Sequence, residues 1–254
     1  MSSTKPANPW ILTRPVNQQA RLNLICFPYA GGGPQIFSSW PAALGSEIQV
    51  CAVQYPGRGS RVREQPLIDW RAMVQALVPN LLPFLNKPFA FFGHSMGAIL
   101  AYEIARTVQE QHGLQLKRLI VSGRRAPQLP STDPVTYNLP DPEFIEELRR
   151  LNGTPHEVLD HPELMQLMLG IVRADFTLTQ TYEFSPGPKL NCPFSIFGGL
   201  EDFDVTRECL EAWCELTNNG CSLKMLEGDH FFLQTNAKPL LQAIQALLLR
   251  DLIR

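Results

Sequence analysis

No stretch of this chain stays apolar for the ~18 residues needed to cross a bilayer. Residues 81–100 come nearest, and Pro83, Asn86, Lys87, Pro88, His94 and Ser95 interrupt them. No membrane partner is expected. An excess of charge of one sign is missing too. The 22 Lys and Arg against 24 Asp and Glu leave a formal −2, so bulk attraction to nucleic acid is not expected. Charged residues make up only 18% and hydrophobic residues 44%, which excludes a disordered chain. The opening Met1-Ser-Ser-Thr-Lys-Pro-Ala-Asn-Pro9 lacks the apolar core of a signal peptide, and a cytoplasmic protein is expected.

Cysteine is sparse and unpatterned. The six residues Cys26, Cys51, Cys192, Cys209, Cys214 and Cys221 form no C-x-x-C pair. The first three sit in or beside apolar runs, where a thiol packs as a small hydrophobe. The last three have no histidine at ligand spacing, so no metal site is expected and all six read as reduced thiols. Internal repeats and low-complexity segments are absent as well. At 254 residues the chain has enough length for one large domain around a buried sheet.

What is present is alternation. Short apolar runs read as strands at residues 22–27, 48–53, 89–93, 118–122, 193–197 and 222–226. Helical patterns stand between them at 35–44, from a capping Asp69 to about 85, 96–111 and 238–252. Strand–helix alternation of this kind predicts an α/β fold, a doubly wound and mostly parallel sheet with helices on both faces. Residues 126–190 break the rhythm. A proline-rich start (Pro127, Pro130, Pro134, Pro140, Pro142) leads into helical patterns at 143–151 and 162–180. An insertion of this length between sheet strands is read as a helical lid, with 1–125 and 191–254 forming the core.

The chemistry starts at Gly93-His-Ser-Met-Gly97. A G-x-S-x-G pattern alone is common by chance. Here it follows a hydrophobic strand and opens a helix, the setting in which the turn lifts a serine hydroxyl above the sheet edge. Ser95 is the expected nucleophile, with the helix N-terminus directed at developing negative charge. A serine hydroxyl needs a base. Of the five histidines, His94 lies inside the turn, His112 ends a helix, and His156 and His161 fall in the insertion. His230, in Glu227-Gly-Asp-His-Phe-Phe-Leu233 after the sixth run, holds the chain position of the base in the order Ser, acid, His. The acid comes from Phe197-Gly-Gly-Leu-Glu-Asp-Phe-Asp204. Asp202 ends a G-x-x-D turn and is favoured, with Glu201 and Asp204 as alternatives; it would hold the imidazole tautomer. Asp229 is too near His230 in sequence. Oxyanion donors are expected from the Met96 amide and, in the glycine-rich Pro28-Tyr-Ala-Gly-Gly-Gly33, the Ala30 amide. That loop lacks the Gly-Lys-Ser/Thr ending of a phosphate-binding loop.

Taken together these segments resemble the type II, or editing, thioesterases of nonribosomal peptide and polyketide synthases. The resemblance covers nearly the whole chain. Its specific parts are Phe27-Pro-Tyr-Ala-Gly-Gly32, Tyr55-Pro-Gly-Arg-Gly59, Gly93-His-Ser-Met-Gly-Ala98, Arg173-Ala-Asp-Phe176 and Gly228-Asp-His-Phe-Phe-Leu233. It implies an α/β-hydrolase fold and hydrolysis of stalled or wrong acyl groups from the phosphopantetheine arm of carrier proteins under a helical lid. It also implies roles for Ser95, Asp202, His230, Ala30 and Met96 as argued above, with no cofactor. Arg58, Arg61, Arg63, Arg124 and Arg125 all follow strands directly, so a basic rim steering an acidic carrier protein is expected, as is a monomer. The competing readings are a terminal-type thioesterase, a general acyl esterase, or a synthase-docking module without catalysis.

Overall fold

A computed structural model describes residues 8–13, 15–131, 134–153 and 160–253. The opening run up to residue 7 and His156 lie outside the described residues. Seven strands, β1 (Ile11–Leu12), β2 (Leu22–Phe27), β3 (Ile48–Val53), β4 (Phe89–His94), β5 (Arg118–Ser122), β6 (Phe194–Gly199) and β7 (Cys221–Leu226), form one sheet in the order β1-β3-β2-β4-β5-β6-β7. All neighbours are parallel except β1, which runs antiparallel to β3. The helices are α1 (Trp40–Leu44), α2 (Trp70–Leu81), α3 (Met96–His112), α4 (Asp141–Leu151), α5 (Pro162–Gln180), α6 (Arg207–Glu211), α7 (Phe232–Thr235) and α8 (Ala237–Ile253).

The inner strands are buried along their whole length and largely apolar because both of their faces are covered. Alternate side chains feed two cores. Ile25, Phe27, Phe91 and Val121 pack with α2 and α3 on one face. Leu24, Cys26, Phe92 and Ile120 pack with α1 and α8 on the other. Asp69 caps α2 as its sequence suggests, its Oδ1 accepting from the Ala72 amide at 2.7 Å. Between β5 and β6, α4 and α5 bury a small core of their own from Phe144, Leu148, Met165, Leu169 and Val172. Arg173 ties this insertion together, donating to the carbonyls of Tyr137 and Leu139 and to Asp141 while lying over the Phe144 ring.

Two expectations are corrected, and one element was not foreseen. The helix expected over 35–44 is two pieces, a 3-10 turn (Pro34–Phe37) and the short α1. Pro41 in the first turn of α1 has no N–H to continue the earlier turn's ladder. The two-residue edge strand β1 was not foreseen, being too short to show a period. Cys214 and Cys221 are joined by a disulfide, not reduced. They lie seven residues apart with their Cα atoms 5.5 Å apart, because the segment after α6 turns straight back into β7. Cys26, Cys51, Cys192 and Cys209 are free thiols.

Candidate active site

β4 ends in a turn that no ordinary backbone makes. Ser95 has φ 52° and ψ −116°, in a region costing an L-residue about 1–3 kcal/mol. The conformation is held from both sides. The Ser95 amide donates to the Ser122 carbonyl at 2.9 Å, and the Ser95 carbonyl accepts from Ala98 at 3.0 Å. A side chain at Gly97 would collide with the Phe27 and Pro28 carbonyls, so the glycine lets α3 pass close over β2. Ser95 thus stands at the N-terminus of a 17-residue helix, where the peptide dipoles favour negative charge.

His230 follows β7, and its Nδ1 lies 2.6 Å from Asp202 Oδ2. The Asp202 carboxylate is buried and the imidazole is about a quarter exposed. A carboxylate at Nδ1 holds the proton there and leaves Nε2 with its lone pair, the tautomer a general base requires. Glu201 and Asp204 are both exposed, and Asp204 faces Arg150 at 3.3 Å. Asp229 accepts from the Phe231 amide and from Asn152. Only Asp202, of the acids weighed, meets the imidazole.

Ser95, Asp202 and His230 line one cavity of about 410 Å³, whose walls come from the core on one side and from α4 and α5 on the other. Ala30 faces the same cavity. Among the described residues neither the Ala30 nor the Met96 N–H has a backbone acceptor. The strained serine and a carboxylate-oriented imidazole in one hollow, with Ala30 in its wall and the Met96 amide next in chain to Ser95, are a set suited to acyl transfer. No cluster of three His, Cys, Asp or Glu able to hold a metal occurs among the described residues. No described helix is long and apolar enough to cross a membrane.

The model of the thioesterase domain family matches residues 22–248. The chain belongs to the thioesterase family. Among curated relatives of this thioesterase, the gramicidin S biosynthesis protein GrsT of Aneurinibacillus migulanus is 43% identical, over 92% of this chain and 91% of that one. Among solved structures, the type II thioesterase BorB from the borrelidin biosynthetic cluster superposes with a TM-score of 0.87 at 40% identity, covering 94% of this chain and 97% of that one. RedJ, a thioesterase of the prodiginine pathway in Streptomyces coelicolor, does so with a TM-score of 0.84 at 35% identity, covering 90% and 86%. The thioesterase carries the α/β-hydrolase fold and is a thioester hydrolase.

The arginines of this thioesterase divide. Arg124 and Arg125 line the cavity beside Ser95, and Arg63 is exposed. Arg58 and Arg61, expected on an open rim, are buried. Arg61 lies over the Trp10 ring at 3.5 Å and donates to Glu64 and to the Gln54 carbonyl. Arg58 is held by Asp175 of α5, 117 residues away in sequence, which no local pattern announces. His94, set aside for its closeness to Ser95, is fully buried. Its Nδ1 lies 3.0 Å from the Ser122 hydroxyl, and its ring centre is 5.0 Å from that of His230.

Asp175, quoted in sequence only within Arg173-Ala-Asp-Phe176, is the site-adjacent residue to which the sequence reading gave no role. It stands three positions from Val172 and three from Leu178, both buried, so it falls on the apolar stripe of α5. A carboxylate there demands a partner. That demand was the available signal.

Proposed function

We propose that this thioesterase removes aberrant or stalled acyl groups from the phosphopantetheine arm of carrier proteins in nonribosomal peptide and polyketide synthesis. The observation that carries the reading is the 2.6 Å contact between His230 and Asp202 in the cavity that also holds Ser95 in its strained turn. The likeness to GrsT and to BorB, proteins of gramicidin S and borrelidin biosynthesis, supports the substrate class.

Ser95 Oγ attacks the thioester carbon as its proton passes to His230 Nε2. The carbonyl oxygen becomes an oxyanion between the Ala30 and Met96 amides, each donor contributing about 3 kcal/mol to the transition state. Collapse breaks the carbon–sulfur bond, and the pantetheine sulfur leaves with the proton from His230. Water then gives its proton to His230 and its oxygen to the acyl carbon. The acid is released, and the Ser95 hydroxyl regains the proton. Asp202 stays ionised throughout and stabilises the imidazolium. The protein's own residues complete this cycle without a cofactor.

The 126–190 insertion serves as the lid, since α4 and α5 wall the cavity opposite the core. The enzyme works as a cytoplasmic monomer that meets its carrier at the Arg124 and Arg125 side. Ser95→Ala tests the chemistry. Hydrolysis of acyl-carrier protein, followed by mass spectrometry of the carrier-bound acyl group, is expected to fall by at least about 10³-fold. An unchanged rate would remove the catalytic reading. Faster turnover of plain oxygen esters than of carrier-bound thioesters would replace it with an esterase.

A further inference from the structure

The loop that carries Ala30 is held on both sides of that residue, while the Ala30 amide has no backbone acceptor among the described residues. The Gly32 amide donates to the Tyr29 carbonyl at 2.9 Å, closing a turn in which Gly31 has φ 76°, the sign a type II turn requires at that place. The Gly31 amide donates to Asp175 Oδ2 at 2.7 Å. Arg58 donates to the Gly32 carbonyl at 2.8 Å and grips both oxygens of Asp175, at 2.7 and 2.8 Å. The Tyr55 hydroxyl donates to the Pro28 carbonyl at 3.2 Å. Asp175 is 0% and Arg58 8% exposed. A side chain on Gly31 would sit 3.1 Å from Val172 of α5, so the helix rides directly on the turn.

We propose that Asp175 is a positioning residue for the oxyanion hole, and that through it hydrolysis depends on the seating of the insertion's long helix. The inference rests on the hydrolase reading above and adds a condition to it. Two facts support it. Flipping the Ala30–Gly31 peptide, the central one of the turn, would bring the Ala30 carbonyl against the Asp175 carboxylate, so the charge at 175 fixes the Gly31 amide and anchors the turn whose first peptide carries the Ala30 donor. And the carboxylate comes from the insertion, while the loop and Arg58 belong to the core. Lifting α5 strips the Gly31 amide of its acceptor and Arg58 of its counter-ion together. Attack on a thioester is thereby tied to an insertion closed over the substrate.

Asp175→Ala removes the acceptor but strands a buried guanidinium, which can unfold the protein. The paired change Arg58→Met with Asp175→Leu removes both charges, fills the space and keeps the test open. Both are measured against wild type and Ser95→Ala in three ways: kcat and KM on an acyl-pantetheine thioester, affinity for a trifluoromethyl ketone that forms a tetrahedral adduct on Ser95, and affinity for the matching non-hydrolysable thioether. For the paired variant we expect kcat to fall about 10- to 100-fold, less than the 10²–10³-fold lost when a donor is deleted. Ketone affinity falls in step, while KM and thioether affinity stay within about twofold. Wild-type kcat in the folded paired variant overturns the positioning role, as does equal weakening of ketone and thioether. Full activity in Ser95→Ala instead overturns the hydrolase reading, so the two failures are told apart.

Discussion

At the scale of single residues, the ring packed against His230 from the Ser95 turn has a consequence for pH. His94 packs at a tilt against His230 and edge-on to Tyr29, on the turn that carries Ser95. Burial first, and the neighbouring His230 second, hold its pKa well below the usual imidazole range. In the unfolded chain it takes up a proton near pH 6.5. Below that pH the unfolded state binds more protons than the native one, so stability present above about 6.5 drains away as the solution is acidified toward the depressed native value. His94→Gln, which cannot titrate, is expected to flatten the fall of Tm between about pH 7 and pH 5. Thermal melts across that range decide it, and an identical slope in the variant would refute it. Ser95 and His230 were legible in sequence because each sits beside a strand end within a short pattern. Asp202 was legible only as one of three acids, since choosing among Glu201, Asp202 and Asp204 requires knowing which faces inward. Arg58 was misread for a related reason. Following a strand places a residue at the sheet edge but does not say what will cover it, and Asp175 arrives from far along the chain.

At the scale of elements, β2 to β6 were readable because both faces of the sheet are covered there, which writes each strand as a largely apolar run, whereas β7 at the edge shows the alternation of a half-exposed strand. Two- and five-residue pieces such as β1 and α1 carry too little period to be read. The insertion's two helices were readable, at 143–151 and 162–180, but not their packing, because they bury only a narrow stripe against each other. Its own cohesion relies heavily on Arg173, whose guanidinium satisfies two carbonyls and Asp141 and covers Phe144. Arg173→Ala is expected to cost about 1.5–3 kcal/mol within that unit. Hydrogen exchange should quicken across 134–153 and 160–180 while amides of β2, β4 and β5 keep their protection. Uniform loss over the whole sheet would show that the insertion does not open as a separate unit. So would no change at all.

For the whole molecule, a formal charge of −2 leaves no global pull toward an acidic partner, so any attraction is local. Arg124 and Arg125, after β5, are the arginines that line the reaction cavity from the core side. Exchanging both for Glu is expected to lower kcat/KM for carrier-bound substrate about tenfold more than for a small free thioester. The difference should shrink as salt is raised. Equal losses on both substrates would end the docking idea. The ion pair that joins Arg58 to Asp175 also has an evolutionary consequence. Because Ser95, His230 and Asp202 all lie outside residues 126–190, acyl preference could be retuned by swapping that stretch between relatives as a cassette. A chimera keeps its rate only when donor and recipient agree on the acidic partner at 175 and the basic one at 58. Recombination libraries built from this scaffold should therefore inherit the two positions together, even though 116 residues lie between them.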